Sequence, residues 1–242
     1  MKYIIFSDVH SNLESLNAFS RIAETIDHDK KVCLGDSVGY GADPNPCVEW
    51  IRDHADLVLA GNHDYAALEL TDTTYFNSYA FESCLWTQEE LTEENKRFLA
   101  SLPVEKEEDG VYWVHSSPFE PREWHYVRSL SDGEENFACF DQPLCFLGHS
   151  HLPLIIEKNP EGEICCYMAQ KMELEDGYRY IINVGSLGQP RDGDPNPCFV
   201  IYDSEAKIVE FRRFSYDFSL TQQKILENDL PEPLALRLSY GR

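Results

Sequence analysis

Apolar and polar positions along the 242-residue chain follow two regimes. In the first, short β-branched or aromatic runs alternate with segments whose apolar residues recur every three to four positions. Tyr3 to Ser7, Lys31 to Leu34 and Leu57 to Ala60 predict strands, because such runs suit a buried, pleated surface. Between them, Leu13 to Thr25 and Pro46 to His54 carry helical spacing, the second behind an Asp43-Pro44-Asn45-Pro46 start signal. Strand, helix, strand, helix, strand implies crossovers, and so a parallel sheet.

A helical block follows at about residues 66 to 101, with Ser78 to Trp86 and Thr92 to Leu102 as its helices and Thr92 as a cap. Such a block either covers a site at one end of a sheet or fills surface by packing. Further strands are predicted at Gly110 to His115, Leu144 to Leu147, Leu152 to Glu157, Tyr180 to Val184, Cys198 to Tyr202 and Lys207 to Phe211. From about residue 150 the strands are separated by short turns such as Pro160-Glu161-Gly162 and Glu175-Asp176-Gly177, which predict antiparallel hairpins. A helical tail at about residues 217 to 240 closes the pattern, divided by Pro231 and Pro233. With no repeat or linker, residues 1–242 are expected to form one domain, an α/β sandwich of two facing sheets.

Charge narrows the partners. Lys and Arg number 20 against 43 Asp and Glu, a net charge of −23. Nucleic acid polymers are held by basic residues that release counterions, so this chain lacks the field to bind them, and anionic membranes are disfavoured likewise. No apolar run approaches the roughly 18 residues of a membrane span. Eight scattered cysteines with no CxxC pair, and an apolar N-terminal run too short for a signal peptide, point to reduced thiols and a cytoplasmic location. The adjacent Cys165 and Cys166 are a weak candidate for metal binding or a strained disulfide.

Chemistry concentrates where the strands end. Asp8 and His10 follow the first strand, Asp36 the second, and Asn62, His63 and Asp64 the third, while His115 and the His149-Ser150-His151 segment follow two more. Ligands gather outside the carboxyl ends of parallel strands, so these tips should meet in space. Each tip alone has an ordinary structural explanation, and His149 and His151 would face opposite ways on a regular strand. Only a break at Gly148 and Pro153 could turn both toward one centre. Together, however, the tips would bury unpaired polar groups unless a common partner satisfied them. Mixed carboxylate, imidazole and amide donors suit Mn, Fe, Zn or Co. Seven donors exceed one ion, and two ions about 3.5–4 Å apart sharing a carboxylate are suited to displacement at phosphorus.

Asp8-Val9-His10-Ser11-Asn12, Gly35-Asp36-Ser37-Val38-Gly39, Gly61-Asn62-His63-Asp64, His115 and Gly148-His149-Ser150-His151 stand in the order of the calcineurin-like metallophosphoesterase superfamily, which the sequence resembles. The segment Gly185-Ser186-Leu187-Gly188-Gln189-Pro190-Arg191 and the acidic helical tail resemble its small prokaryotic single-domain members. The resemblance implies a four-layer α/β/β/α sandwich of two mixed sheets. It also implies one metal on Asp8, His10, Asp36 and His151, and a second on Asp36, Asn62, His115 and His149. Mn, Fe or Zn are the implied ions, with Mn favoured in vitro, and a hydroxide between them would be the nucleophile. His63 would contact phosphate and protonate the leaving oxygen, with Asp64 orienting it. Ser11, Ser150 and the Ser116-Ser117-Pro118 turn depart from common family residues, but none removes a ligand.

Arg191 could clamp a second phosphate or pair with Asp192 or Asp194. Asn12 and Tyr40 are further substrate-binding candidates, and Arg122 and Arg128 weaker ones. Trp124, His125 and Tyr126 look exposed, either as a contact patch or as lid packing. The expected function is hydrolysis of a small soluble phosphomonoester, phosphodiester or nucleotide-type substrate, with phosphoproteins and dinucleoside polyphosphates as alternatives. A metal-stabilised interaction module is the competing class. Both monomer and homodimer are open.

Overall fold

A computed structural model describes residues 1–242. The chain begins β1 (Lys2–Phe6), α1 (Leu13–Ala23), β2 (Lys30–Cys33), α2 (Pro44–His54) and β3 (Leu57–Val58), with the three strands parallel as their crossovers require. The helical block comprises α3 (Asn62–Ala66), α4 (Ser78–Glu90) and α5 (Glu93–Ala100), the last capped by Thr92. Next come β4 (Glu105–Glu108), β5 (Val111–Val114), α6 (Leu130–Asn136), β6 (Leu144–Leu147), β7 (Leu154–Lys158), β8 (Ile164–Tyr167) and β9 (Lys171–Glu173). β10 (Arg179–Asn183), β11 (Cys198–Asp203), β12 (Ile208–Arg213), α7 (Phe218–Glu227) and α8 (Glu232–Leu236) complete it.

Two six-stranded mixed sheets result, ordered β3-β2-β1-β11-β12-β9 and β4-β5-β6-β10-β7-β8. Alternation along each strand builds the layers. Tyr3, Ile5, Val111, Trp113, Phe146, Ile182 and Val200 belong to the core between the sheets. Ile4, Phe6 and Phe199 instead pack with Leu16 and Phe19 of α1 and Ile51 of α2, while Tyr112, Cys145 and Ile181 pack around Phe137 and Phe140 beside α6. Burial on both faces explains why these strands are continuously apolar.

The structure revises part of the sequence pattern. β7 and β8 form a hairpin at Pro160-Glu161-Gly162, as expected. Glu175-Asp176-Gly177 does not make one: it carries the chain from β9 at the edge of one sheet to β10 inside the other, where β10 runs parallel to β6. β4 went unrecognised because its Glu-Lys-Glu-Glu sequence is polar, yet it pairs with β5 as an edge strand. Asp109-Gly110, both with positive φ, is the tight-turn signal that marks this hairpin. The half-exposed β8 and β9 lie at sheet edges, and α6 opens on a Ser129/Asp132 capping box. No helix is long and apolar enough to cross a membrane.

The tail folds back over the N-terminal loops. Lys224 on α7 donates to Glu14 at 2.6 Å and Asp43 at 2.8 Å, while Thr221 donates to Asn12 at 3.1 Å and Glu14 at 2.8 Å. Lys224→Met should leave two largely buried carboxylates without their cation and lower stability by on the order of 1–2 kcal/mol, measured by urea unfolding. An unchanged midpoint would mean that apolar contacts alone hold the tail.

Candidate metal centre

Five strand-end loops meet at one edge of the two sheets. Asp8, His10, Asp36 and His151 place donor atoms within 4.8 Å of one another, and Asp36, His115 and His149 form a second such group. Asp36 belongs to both. Its Oδ2 lies 3.6 Å from His10 Nε2 and 3.4 Å from His115 Nε2, and Oδ1 accepts the His63 backbone N–H at 2.8 Å. Asn62 Oδ1 adjoins the second group, 3.3 Å from His115 Nε2.

The local backbone makes this convergence work. Asp8, His10, Asp36, His149 and His151 all have φ between 49° and 63°, the left-handed region that non-glycine residues seldom occupy. At His149 and His151 this departure from extended geometry overturns strand alternation and turns both rings toward the centre. Bonds between loops hold the conformation: His10 N–H donates to Asp36 O and Asp8 N–H to Gly35 O, each at 3.0 Å, and His149 N–H donates to Asp8 Oδ2 at 3.0 Å. The Gly185-to-Arg191 segment supports the first loop from beneath, where Gly188 N–H and Ser186 Oγ donate to Asp8 O.

Backbone carbonyls set the imidazole tautomers. The Nδ1–H groups of His10, His115 and His151 donate to Val38 O, Leu34 O and Gln189 O, at 2.9, 2.8 and 2.5 Å, leaving each Nε2 lone pair toward the centre. His149 is reversed: Nε2–H donates to Trp124 O at 2.8 Å, which frees Nδ1. His10 Nε2 and His151 Nε2 then face each other at 3.1 Å with no proton between them, and buried Asp8 Oδ1 faces His151 Nε2 at 3.2 Å, which in this tautomer offers it no proton. Opposed lone pairs and an orphaned carboxylate oxygen are stable only around positive charge, so this donor set fits a transition-metal cation.

The electrostatics agree. Burial raises Asp8 and Asp36, but the neighbouring histidines outweigh it and hold both below the usual carboxylate range. For His115, burial is outweighed by Asp36 and the ring is raised to about 9, whereas burial and then the His115 charge push His149 down to about 3.

His63 lines a cleft of about 750 Å³ together with Tyr40, Asn62, Phe76, Tyr126 and His149. Its ring packs against Tyr40 and Phe76 with centroids 4.4 and 4.8 Å away, and Nδ1 is buried without a partner. Burial first of all pushes it down to about 4. Asp64 does not orient this ring, contrary to the expectation from resemblance: its carboxylate accepts the Gly61 N–H at 2.9 Å and the Val38 N–H at 3.1 Å, joining two loops. Burial and then Asp36 raise Asp64 to about 7.

The substrate-binding candidates separate. Tyr40 lines the cleft. Asn12 does not: it caps α1 by accepting the Ser15 N–H, and its amide donates to Gly188 O and Tyr216 Oη. Arg191 pairs with neither Asp192 nor Asp194, both of which face Arg213; it donates to Tyr40 Oη at 3.3 Å and Gln189 Oε1 at 2.9 Å. Arg122 lines the cleft, and Arg128 lies over the Tyr126 ring. Trp124 is buried rather than exposed, with its indole N–H on Thr71 Oγ1, while His125 and Tyr126 are exposed as expected; Tyr126 stacks on His149 at 4.2 Å, and with Trp124 it seats that ring. The carbonyls of Leu34, Val38, Trp124 and Gln189 were missed because main-chain acceptors leave no residue-type signal.

The chain matches the calcineurin-like phosphoesterase superfamily domain over residues 1–207. It belongs to that family. It is 40% identical over 243 residues to an uncharacterized protein of Methanocaldococcus jannaschii, covering 98% of this chain and 97% of the other. The crystal structure of a metallophosphoesterase from Sphaerobacter thermophilus superposes with a TM-score of 0.89 at 37% identity, covering all of both chains. A hypothetical protein from Pyrococcus horikoshii OT3 shares the fold, with a TM-score of 0.81 at 19% identity over 100% of this chain and 98% of that one.

Gly61 is needed for close approach, since a Cβ there would fall on Asp36 Oδ1. Gly61→Ala should displace Asp36 and weaken metal uptake on the order of tenfold or more, measured by titrating chelator-stripped protein. Wild-type uptake in this variant would show that Asp36 does not organise the site.

Proposed function

We propose that this chain is a two-metal phosphoesterase acting on a small phosphorylated substrate. The observation that carries this is the pair of donor groups sharing Asp36, with every ring nitrogen outside them held by a backbone carbonyl. Asp8, His10, Asp36 and His151 would hold one ion, and Asp36, Asn62, His115 and His149 the other. Mn, Fe or Zn suits these donors, with Mn the first choice for reconstitution. When bound, such ions supply Lewis-acid chemistry: they polarise phosphoryl oxygens and lower the pKa of water.

The chain's own residues perform the remaining steps. His63, at the cleft wall, would hydrogen-bond a phosphate and pass a proton to the departing oxygen. Asp64 positions that helix start by bonding Gly61 and Val38 rather than by touching the ring. Tyr40 and Phe76 confine the imidazole, and Tyr126 offers an aromatic face at the cleft. The net charge of −23 favours small substrates over nucleic acid polymers. Eight free thiols, five of them buried, support a cytoplasmic setting.

The test is reconstitution of chelator-stripped protein with Mn, Fe, Zn, Co, Ni or Mg, assayed on p-nitrophenyl phosphate and bis-p-nitrophenyl phosphate. Metal-dependent turnover should appear in the wild type and vanish in Asp36→Asn. His63→Ala should retain metal while kcat falls by roughly 10²–10⁴. No turnover with any metal, despite two ions bound per chain, would overturn the enzyme reading in favour of an interaction module.

A further inference from the structure

Two arginines converge on Tyr40 from distant parts of the chain. The guanidinium carbons of Arg191 and Arg237 lie 5.6 and 5.8 Å from the centre of the Tyr40 ring, which also packs against His10 and His63. Arg237 follows α8 and so lies beyond the residue 207 limit of the family match. Its approach is built in: Leu234 and Leu238 pack in one cluster with Tyr40, and Gly193 N–H donates to Gly241 O at 2.9 Å, tying the Arg191 loop to the end of the chain.

Neither guanidinium is paired with an Asp or Glu side chain, although acids outnumber bases two to one. Arg191 contacts only neutral oxygens and its buried Nε has no partner at all, while Arg237 donates to a main-chain oxygen of Arg242, the last residue of the sequence. The adjacent acids Asp192 and Asp194 face Arg213 instead. A structural wedge would have used a carboxylate, as Lys224 does. Two poorly solvated like charges cost stability unless an anion joins them, and burial followed by the Arg191 charge already pulls Arg237 down to about 10.

We infer that Arg191 and Arg237 form an anion clamp across Tyr40, so that the substrate carries a second phosphate or carboxylate beside the phosphoester placed at the metal centre. This rests on the phosphoesterase reading above. Arg191 supplies its orphaned Nε–H, and the tail supplies Arg237; two guanidinium forks suit a second phosphate. The tail is then a specificity element rather than a mere cover.

Two matched pairs test the clamp on the Mn-loaded protein: glucose 6-phosphate against glucose 1,6-bisphosphate, and adenosine 5′-monophosphate against adenosine 3′,5′-bisphosphate. The wild type should favour a bisphosphate by about tenfold or more in kcat/KM. Arg237→Met, which keeps the apolar stem, should reduce that ratio toward one, and Arg237→Lys should restore part of it. If Arg237→Met fails to fold, Arg237→Gln and Arg191→Lys provide the same ratio. Should the wild type turn over no phosphoester, including p-nitrophenyl phosphate, the enzyme reading has failed, and calorimetric affinity for the same pairs replaces kcat/KM. Equal treatment of both members of both pairs by the wild type, or a ratio unmoved in Arg237→Met, would overturn the clamp.

Discussion

Asp36 stands between two groups of imidazoles, with one carboxylate oxygen reaching toward His10 and His115 and the other holding the His63 backbone. Placing that much unpaired polarity out of water is unfavourable by several kcal/mol unless a cation accepts it. The surrounding loops hold the donors from outside: outward ring nitrogens bond carbonyls, and one oxygen of each carboxylate bonds an N–H. The remaining donor atoms of these aspartates and histidines point inward. The sheets, crossovers and C-terminal tail serve to keep those inward atoms together.

Backbone strain is the main cost of this arrangement. Five donor residues take left-handed conformations that cost of order 1–2 kcal/mol each for L-residues. Hydrogen bonds between loops from different strands offset it, and the two buried sheets provide the rigidity against which those loops are held. Asp64 belongs to this scaffold, since it ties the third loop to the second through backbone amides. A residue within a functional motif can thus act on its neighbours' positions instead of on the reacting atoms.

The tail adds a different kind of contribution. Its α7 anchors on Glu14 and Asp43 through Lys224, and the turn after α8 brings Arg237 to Tyr40. In a chain so acidic, two cations gathered at one cleft-lining tyrosine are a local reversal of the field. The candidate metal ligands and the two arginines at Tyr40 therefore come from separate parts of the sequence, the first from strand tips and the second from a late loop and the tail.

The parallel start, the two apolar sheets and the donor residues were legible because they depend on residue type and local period: β-branched runs, helical spacing, and Asp, His or Asn after an apolar strand. Sequence alone therefore determined the sandwich and the identity of the candidate ligands. It could not reveal β4, whose edge position tolerates four charged residues, nor the passage of β9 to β10 between sheets, because strand partners are chosen by packing over long separations. Only tertiary structure decided that His149 and His151 face one centre, that Trp124 is buried with its carbonyl on His149, that Asn12 caps a helix, and that Arg191 and Arg237 both approach Tyr40 while Asp192 pairs with Arg213. Each depends on left-handed torsions, main-chain acceptors or charges more than 40 residues apart, none of which leaves a mark in local composition.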